Sequence, residues 1–526
     1  MGNTIHSILS RIEEKYKLTF ISTCIAGLLT HLFMFTNLLP GNDQTMFYFN
    51  LGGTRSFGRW GLHVLQIKFP LTDSSILTGY GMPWVKGLIS LCLIGVTACI
   101  VVAILDIKNH SICILTGTVL VTFPSVAATF SYMFTSSSYF LGLALAGAAA
   151  YWAKKSTKSL KWNIIGGGGT GVLIMLSLSI YQSYICFTIG LLVADLILLC
   201  LEGEAPFGRI LKKCFYYLFL LIFGLALYYL SIQIMLKFFW PALSSYQGVS
   251  DVLTGGLGNI LKVVTDGIYK AYRHFFDVPV LINETLRLRR VLYSCIGVVA
   301  TIEILYLIWH NKVYKSLTLI LCAILIGMFP MAANSVYLMG ASSVSTLMLY
   351  GTVTPTLLAL ALTQRFCNSA KAGKKRWVTV YYVACISVFC MNYQYFLISN
   401  EAYNRQYFTY EQTYGYMNRV AYEIQRCEGY TADMPVMLSG NVQKEIVMPE
   451  FESLNYITGI FGESDLVNGY SREEFIRRYC GLPIVKAVDS LREEVRATQE
   501  YADMPLYPSR GSVKVIKGCC VVKFSE

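Results

Sequence analysis

Along most of its length the chain alternates unbroken apolar stretches of roughly 20 residues with short polar connections, and the apolar stretches lack the period-two alternation of a half-buried strand. A helix of that length crosses a hydrocarbon core of about 30 Å, so each stretch predicts a membrane-spanning helix rather than a barrel strand. Eleven spans are expected, at 18–39, 84–105, 111–130, 138–153, 164–181, 184–201, 214–236, 291–309, 316–332, 344–363 and 377–397. Past residue 397 the pattern changes. Residues 399–427 suit a long helix leaving the membrane, Pro435 to Leu438, Ser512 to Ile516 and Cys519 to Phe524 suit strands, and Ser471 to Tyr479 and Ala487 to Thr498 suit helices. The expected fold class is a polytopic α-helical membrane protein (1–397) with a small C-terminal external α/β domain (398–526).

Composition agrees with this pattern. Hydrophobic residues make up 55% of the 526-residue chain and charged residues 14%, against about a quarter charged in soluble domains. The charge is unevenly placed: residues 1–397 hold 29 Lys and Arg against 13 Asp and Glu, whereas the tail holds 14 against 18. The basic excess therefore belongs to the membrane part and reads as an orientation signal, which excludes nucleic-acid binding. With a cytoplasmic N-terminus, the cytoplasmic connections collect Lys154, Lys155, Lys158, Lys161, Arg209, Lys212, Lys213, Lys371, Lys374 and Lys375, while the external turns 131–137, 182–183 and 333–343 contain no Lys or Arg. The positive-inside rule then places the termini on opposite sides of a plasma membrane, with loops 40–83 and 237–290 and the tail on the external face. The first apolar run follows Arg11, Lys15 and Lys17 and is too long for a signal-peptide core, so it is expected to be a retained span. Most of the sixteen cysteines lie inside apolar runs; those of the tail, Cys427, Cys480, Cys519 and Cys520, do not have zinc-site spacing.

Candidate chemistry concentrates in loop 40–83. Asp43 follows Pro40-Gly-Asn, and Gly52-Gly-Thr-Arg55-Ser-Phe-Gly-Arg59-Trp60-Gly follows at close spacing. A carboxylate at a membrane interface can serve as a general base, and arginine suits bidentate capture of a phosphate. The competing structural reading is that Asp43 caps a helix and that Arg55 and Arg59 are solvated or reach lipid headgroups. Tyr181-Gln182-Ser-Tyr184 forms a polar aromatic turn that either anchors at the interface or lines a site. Asp195 and Glu303, inside spans, favour pairing with neighbouring helices, and Gly166 to Gly169 favour tight helix packing. In loop 237–290, Trp240, Tyr246, Tyr269, Tyr272, His274 and Phe275 mix with Asp251, Asp266, Lys270, Arg273, Asp277 and Glu284. That mixture fits a sugar site or an amphipathic helix on the membrane equally well.

Together, Asn42-Asp43, Gly52-Gly53, Gly58-Arg59-Trp60, Ile180-Tyr-Gln-Ser-Tyr184 and the tail segments Met504 to Ser512 and Val521 to Phe524 resemble the GtrII-type glucosyltransferases, membrane enzymes that modify bacterial surface glycans such as O-antigen. The resemblance implies the GT-C structural class, with a hexose, typically glucose, passed from a polyprenyl-phosphate donor to a surface glycan at the external leaflet. It assigns Asp43 as catalytic base. It further implies Arg59 and Arg55 at the donor phosphate, and Trp60, Tyr181 and Gln182 as substrate contacts. The donor lipid, the glycan acceptor and membrane lipid are the implied partners, along with flippase and donor-synthesis proteins. Many members of the wider class carry paired acids where this chain has Asn42 and Gln44 beside Asp43, so a divalent metal cofactor is not supported. A lipid-linked sugar flippase and a non-catalytic assembly factor remain as alternatives.

Overall fold

The structure, a computed structural model, describes residues 12–41, 43, 45, 54, 56–66, 82–156, 160–239, 243, 257–276, 287–339, 344–369, 375–442 and 470–526. Its helices follow the apolar segments. In chain order they are α1 (Glu14–Thr36), the short α2 (Trp60–Gln66), α3 (Pro83–Ile104), α4 (His110–Thr122), α5 (Pro124–Phe130), α6 (Met133–Ser156), α7 (Leu160–Ile180), α8 (Ile185–Glu202) and α9 (Phe207–Phe238). They continue with α10 (Leu257–Phe276), α11 (Arg287–His310), α12 (Thr318–Ala333), α13 (Thr354–Ser369) and α14 (Lys375–Arg426).

Local chemistry sets the breaks. Pro83 opens α3 and Pro124 opens α5, at the first helical position where a missing N–H costs nothing. Pro124 also bends α4 against α5 by 43°. The Asn109 side chain accepts from the Ile112 amide and so caps α4, and α8 ends at Gly203 in the left-handed region.

The protein is a helical membrane protein of many spans. Among the described residues, seven helices (α1, α3, α6, α8 with its preceding turn, α9, α11 and α14) are long and apolar enough to cross, and the bent pair α4–α5 makes an eighth. The remaining expected segments are helical as well: the described apolar part of α7 covers 165–180 and α12 covers 318–333, and the segment expected at 344–363 opens with 3-10 turns before α13.

The two ends of the bundle differ. At one end, buried Asp195 on α8 receives Lys154 of α6 and Lys213 of α9, each at 2.8 Å, and the Tyr217 hydroxyl at 2.9 Å. There Arg365 pairs with Glu202 and donates to the Leu105 carbonyl. Glu303 of α11 accepts from Thr363 of α13. Both in-span acids therefore partner neighbouring helices. Side chains at Gly166 and Gly169 would collide with Ser156 and Trp152, so these two glycines serve packing, whereas Gly168 faces open space.

The other end carries α2, α10 and the tail. His31 ties α1 to α4 through the Val121 carbonyl (2.9 Å) and to α14 through the Tyr403 hydroxyl (2.7 Å). The last expected span and the helix expected at 399–427 are one unbroken 52-residue helix, α14, because no proline or glycine interrupts the turns between them. Met417, Val420, Ala421 and Ile424 on its far part pack against a four-stranded sheet ordered β2-β1-β4-β3. The strands are β1 (Pro435–Ser439), β2 (Val485–Lys486), β3 (Val513–Ile516) and β4 (Cys519–Lys523). Strand β1 runs parallel to β2 and β4, and β3 and β4 form a hairpin. Three helices, α15 (Arg472–Tyr479), α16 (Asp489–Arg496) and α17 (Gln499–Ala502), accompany the sheet. The two-residue β2 is the strand that the sequence pattern did not suggest.

Candidate active site

Asp43 lies on a separate helical turn that follows α1 after the non-helical residues 37–41. The Thr45 amide donates to the Gly41 carbonyl at 2.9 Å, so Asp43 sits inside this turn and not at its capping position. Its carboxyl is half-buried. Burial raises the Asp43 pKa above its ordinary value, and the Arg59 guanidinium offsets part of that. The two are thus electrostatic neighbours, yet they do not form an ion pair among the described residues.

Arg59 is held from several sides. Its Nε donates to Gln182 Oε1 at 3.2 Å and its Nη1 to the Tyr139 hydroxyl at 3.0 Å. Its guanidinium lies 4.9 Å from the Tyr181 ring centre and 5.5 Å from that of Phe57. Tyr181 in turn stacks on Tyr139, ring centres 4.6 Å apart. Gln182 spends its amide nitrogen on the Phe57 carbonyl (2.7 Å) and the Tyr228 hydroxyl (3.0 Å), and Tyr228 donates to the Gly58 carbonyl. The loop, the turn after α7, α6 and α9 therefore fix one guanidinium in one orientation, with its ordering cost met before any ligand arrives.

Short helix α2 makes this approach possible. A side chain at Gly61 would overlap the Ser179 hydroxyl, so only glycine lets α2 lie directly on α7. One residue earlier, Trp60 donates from Nε1 to the Ser231 hydroxyl of α9 at 2.9 Å, which makes it a packing and anchoring residue in this state.

The structure therefore gathers Arg59, Tyr181 and Gln182, places Asp43 in electrostatic range and puts Trp60 against α9. Arg55, Asn42, Gln44, Gly52 and Gly53 lie outside the described residues. The aromatic and charged residues of loop 237–290 that are described sit on α10, against α11, α12 and the turn 335–339, and not around Arg59.

Sequence reading missed Tyr139, Tyr228 and Lys86. Tyr139 closes the polar run Thr135-Ser-Ser-Ser at the start of α6, a legible signal, whereas Tyr228 looks like any aromatic in a span. Lys86, in the first turn of α3, is fully buried and donates to the Phe134 carbonyl at 2.5 Å. Among the described residues, no three His, Cys, Asp or Glu side chains cluster as a metal site would need.

The tail reaches this end of the bundle. Arg478 on α15 donates to the Thr45 carbonyl at 2.8 Å, and Gln406 on α14 donates to the Leu39 carbonyl at 2.8 Å. The turn bearing Asp43 is thus held between α1 and the tail.

No curated protein and no solved structure matches the chain. A family model does, over residues 32–356, a stretch that holds Asp43, Arg59, Trp60, Tyr139, Tyr181, Gln182 and Tyr228 and stops short of α14 and the tail. With well over half of its length matched, the chain belongs to the glucosyl transferase GtrII family, and so to the membrane glycosyltransferases.

Proposed function

We propose that the protein transfers a hexose, assigned as glucose from its family, from a polyprenyl-phosphate carrier to a surface glycan at the external leaflet of the plasma membrane. In this reading it is a GT-C enzyme with eleven spans, a cytoplasmic N-terminus and an external tail. The observation that carries it is the pre-set guanidinium of Arg59 beside a half-buried carboxylate in the first loop, at the end of the bundle away from the basic connections.

The chemistry follows from those two groups. An acceptor hydroxyl attacks the anomeric carbon, the bond from that carbon to the phosphate oxygen breaks, and the polyprenyl phosphate leaves with the electron pair. Asp43 takes the hydroxyl proton; a carboxylate whose pKa is raised by burial is a stronger base than one in water. Arg59, with Arg55 as a second cation, stabilises the charge gathering on the departing phosphate. Tyr181 and Gln182 hold Arg59 in place and border the sugar, and Trp60 flanks the same space.

The test offers polyprenyl-phosphate glucose and the host's surface glycan to membranes holding wild type or a correctly inserted Asp43→Asn variant. Transfer by wild type that is lost in the variant supports the assignment. Transfer that survives in the variant retains the enzyme class and removes Asp43 from its role. If neither protein transfers sugar while the donor lipid still crosses the bilayer, the assignment fails in favour of a flippase.

A further inference from the structure

Helix α10 has three distinct faces. Gly267 and Ala271 are buried: a side chain at Gly267 would strike the Tyr337 backbone, Asn334 donates to the Ala271 carbonyl at 3.1 Å, and the neighbouring His274 ring stacks on Tyr337. A second face carries Asp266, Lys270 and Arg273, with Asp266 and Lys270 paired at 2.7 Å. The third carries Tyr269, Tyr272 and Phe276, spaced three and four apart on one stripe, of which Tyr269 is 61% and Phe276 75% exposed. Exposed aromatic rings beside a charged stripe on one helix need a covering partner.

The contacts of Tyr272 say what that partner is. Its hydroxyl donates to the Gly327 carbonyl of α12 at 2.7 Å. Gly327 lies six residues before the end of α12, about 9 Å down the helix axis. The Tyr272 hydroxyl therefore reaches down to the upper part of α12, while the backbone of α10 packs against Asn334 and Tyr337 just past the end of α12. Gly327 also faces open space, on the same stripe of α12 as exposed Ile320, Ile324 and Met328. That stripe has no polar side chain and belongs to a helix of a membrane protein, so it faces acyl chains. With 16 residues, α12 is about 24 Å long, some 6 Å short of the hydrocarbon thickness. The missing length lies beyond the ends of α12, and past its upper end Asn334 and Tyr337 pack on α10.

We propose that α10 is an in-plane helix seated in the leaflet on the active-site side, with Tyr269, Tyr272 and Phe276 against lipid at the boundary of headgroups and chains and with Lys270 and Arg273 at the phosphates. Its partner is the bilayer itself. The aromatic stripe of α10 continues the lipid-facing stripe of α12, and the charged stripe turns toward water. This assignment does not depend on the sugar-transfer chemistry.

The experiment uses the full chain at one protein per nanodisc, in phosphatidylethanolamine and phosphatidylglycerol, with hydroxyl-radical footprinting read by mass spectrometry. Tyr422 of the tail, 54% exposed, is the internal reference for a ring in water. Tyr269 and Phe276 are expected to oxidise at least about fivefold more slowly than their exposure relative to Tyr422 would give. A companion disc containing a phosphatidylcholine with a diazirine near the carbonyl end of its chain is expected to leave lipid adducts on the peptide carrying Tyr269 to Phe276. Oxidation at the rate of Tyr422 overturns the proposal. So does protection without lipid adducts, since the cover would then be protein.

Discussion

Two aspartates, one at each end of the bundle, have opposite surroundings. Asp195 is buried with two lysines at 2.8 Å and a tyrosine hydroxyl at 2.9 Å, so its charge is over-compensated by groups from α6 and α9. Asp43 is half-buried, has one cation in range and forms no ion pair among the described residues. A carboxylate whose charge is consumed by its neighbours holds helices together; one left partly uncompensated retains basicity for a substrate proton. Position in the sequence does not separate the two, whereas partners do.

The largest expected effect separates them by readout. Asp43→Asn should lower sugar transfer by ~10²-fold or more with little change in thermal unfolding. Asp195→Asn, which leaves two ammonium groups facing a neutral amide, should instead cost about 3 kcal/mol of stability while the surviving folded protein keeps its turnover. Parallel assays of transfer and of unfolding in detergent check both, and a reversed pattern would exchange the two roles.

Next in size is Arg59→Lys, which keeps the charge and loses the fork held by Tyr139 and Gln182. A drop of ~10- to 100-fold in kcat/KM for the donor is expected. If lysine restores full activity, the hydrogen bonds to Arg59 are structural only.

The pH profile sharpens the comparison further. As the proposed base, Asp43 would have to be ionised to act, and burial raises its pKa, so activity should rise with pH through a midpoint above the ordinary aspartate value. Arg59 favours the carboxylate, so in Arg59→Gln that acidic limb should move to still higher pH. A limb that stays in place would mean that Arg59 does not sense Asp43 in the working enzyme. The smallest effect belongs to Trp60→Phe, which deletes the bond to Ser231: about 1 kcal/mol of stability and a few-fold in rate.

Much of the bundle was legible because lipid imposes a coarse rule, continuous apolar length, on every crossing. Helix ends at Pro83 and Gly203 were readable for the same local reasons that operate in water, whereas the bend at Pro124 interrupts the run 111–130 that was expected as one span. Less legible was the continuity of α14, since the loss of hydropathy near residue 397 marks the departure from lipid and says nothing about the helix itself. At the site, Arg59 stood out as a cation in the first long loop, and Tyr181 and Gln182 as polar and aromatic residues at a span end. Tyr139 and Tyr228 did not, because a tyrosine in a span reads as packing until its hydroxyl partner is known from tertiary structure. Lys86 was hidden by its place in the first turn of α3, where a lysine is expected to reach the headgroups and instead turns inward.

The unbroken course of α14 fixes an angular relation between membrane and tail. A continuous helix turns by about 100° and rises about 1.5 Å per residue. One residue added between Tyr403, which bonds His31, and Met417, which packs under the sheet, would swing the whole tail by that angle around the shaft. Arg478 would then face away from Thr45. The spacing along this helix therefore acts as a phase setting: lengthening by whole heptads nearly preserves the docking direction and lifts the tail by about 10 Å, whereas any other length points the tail elsewhere.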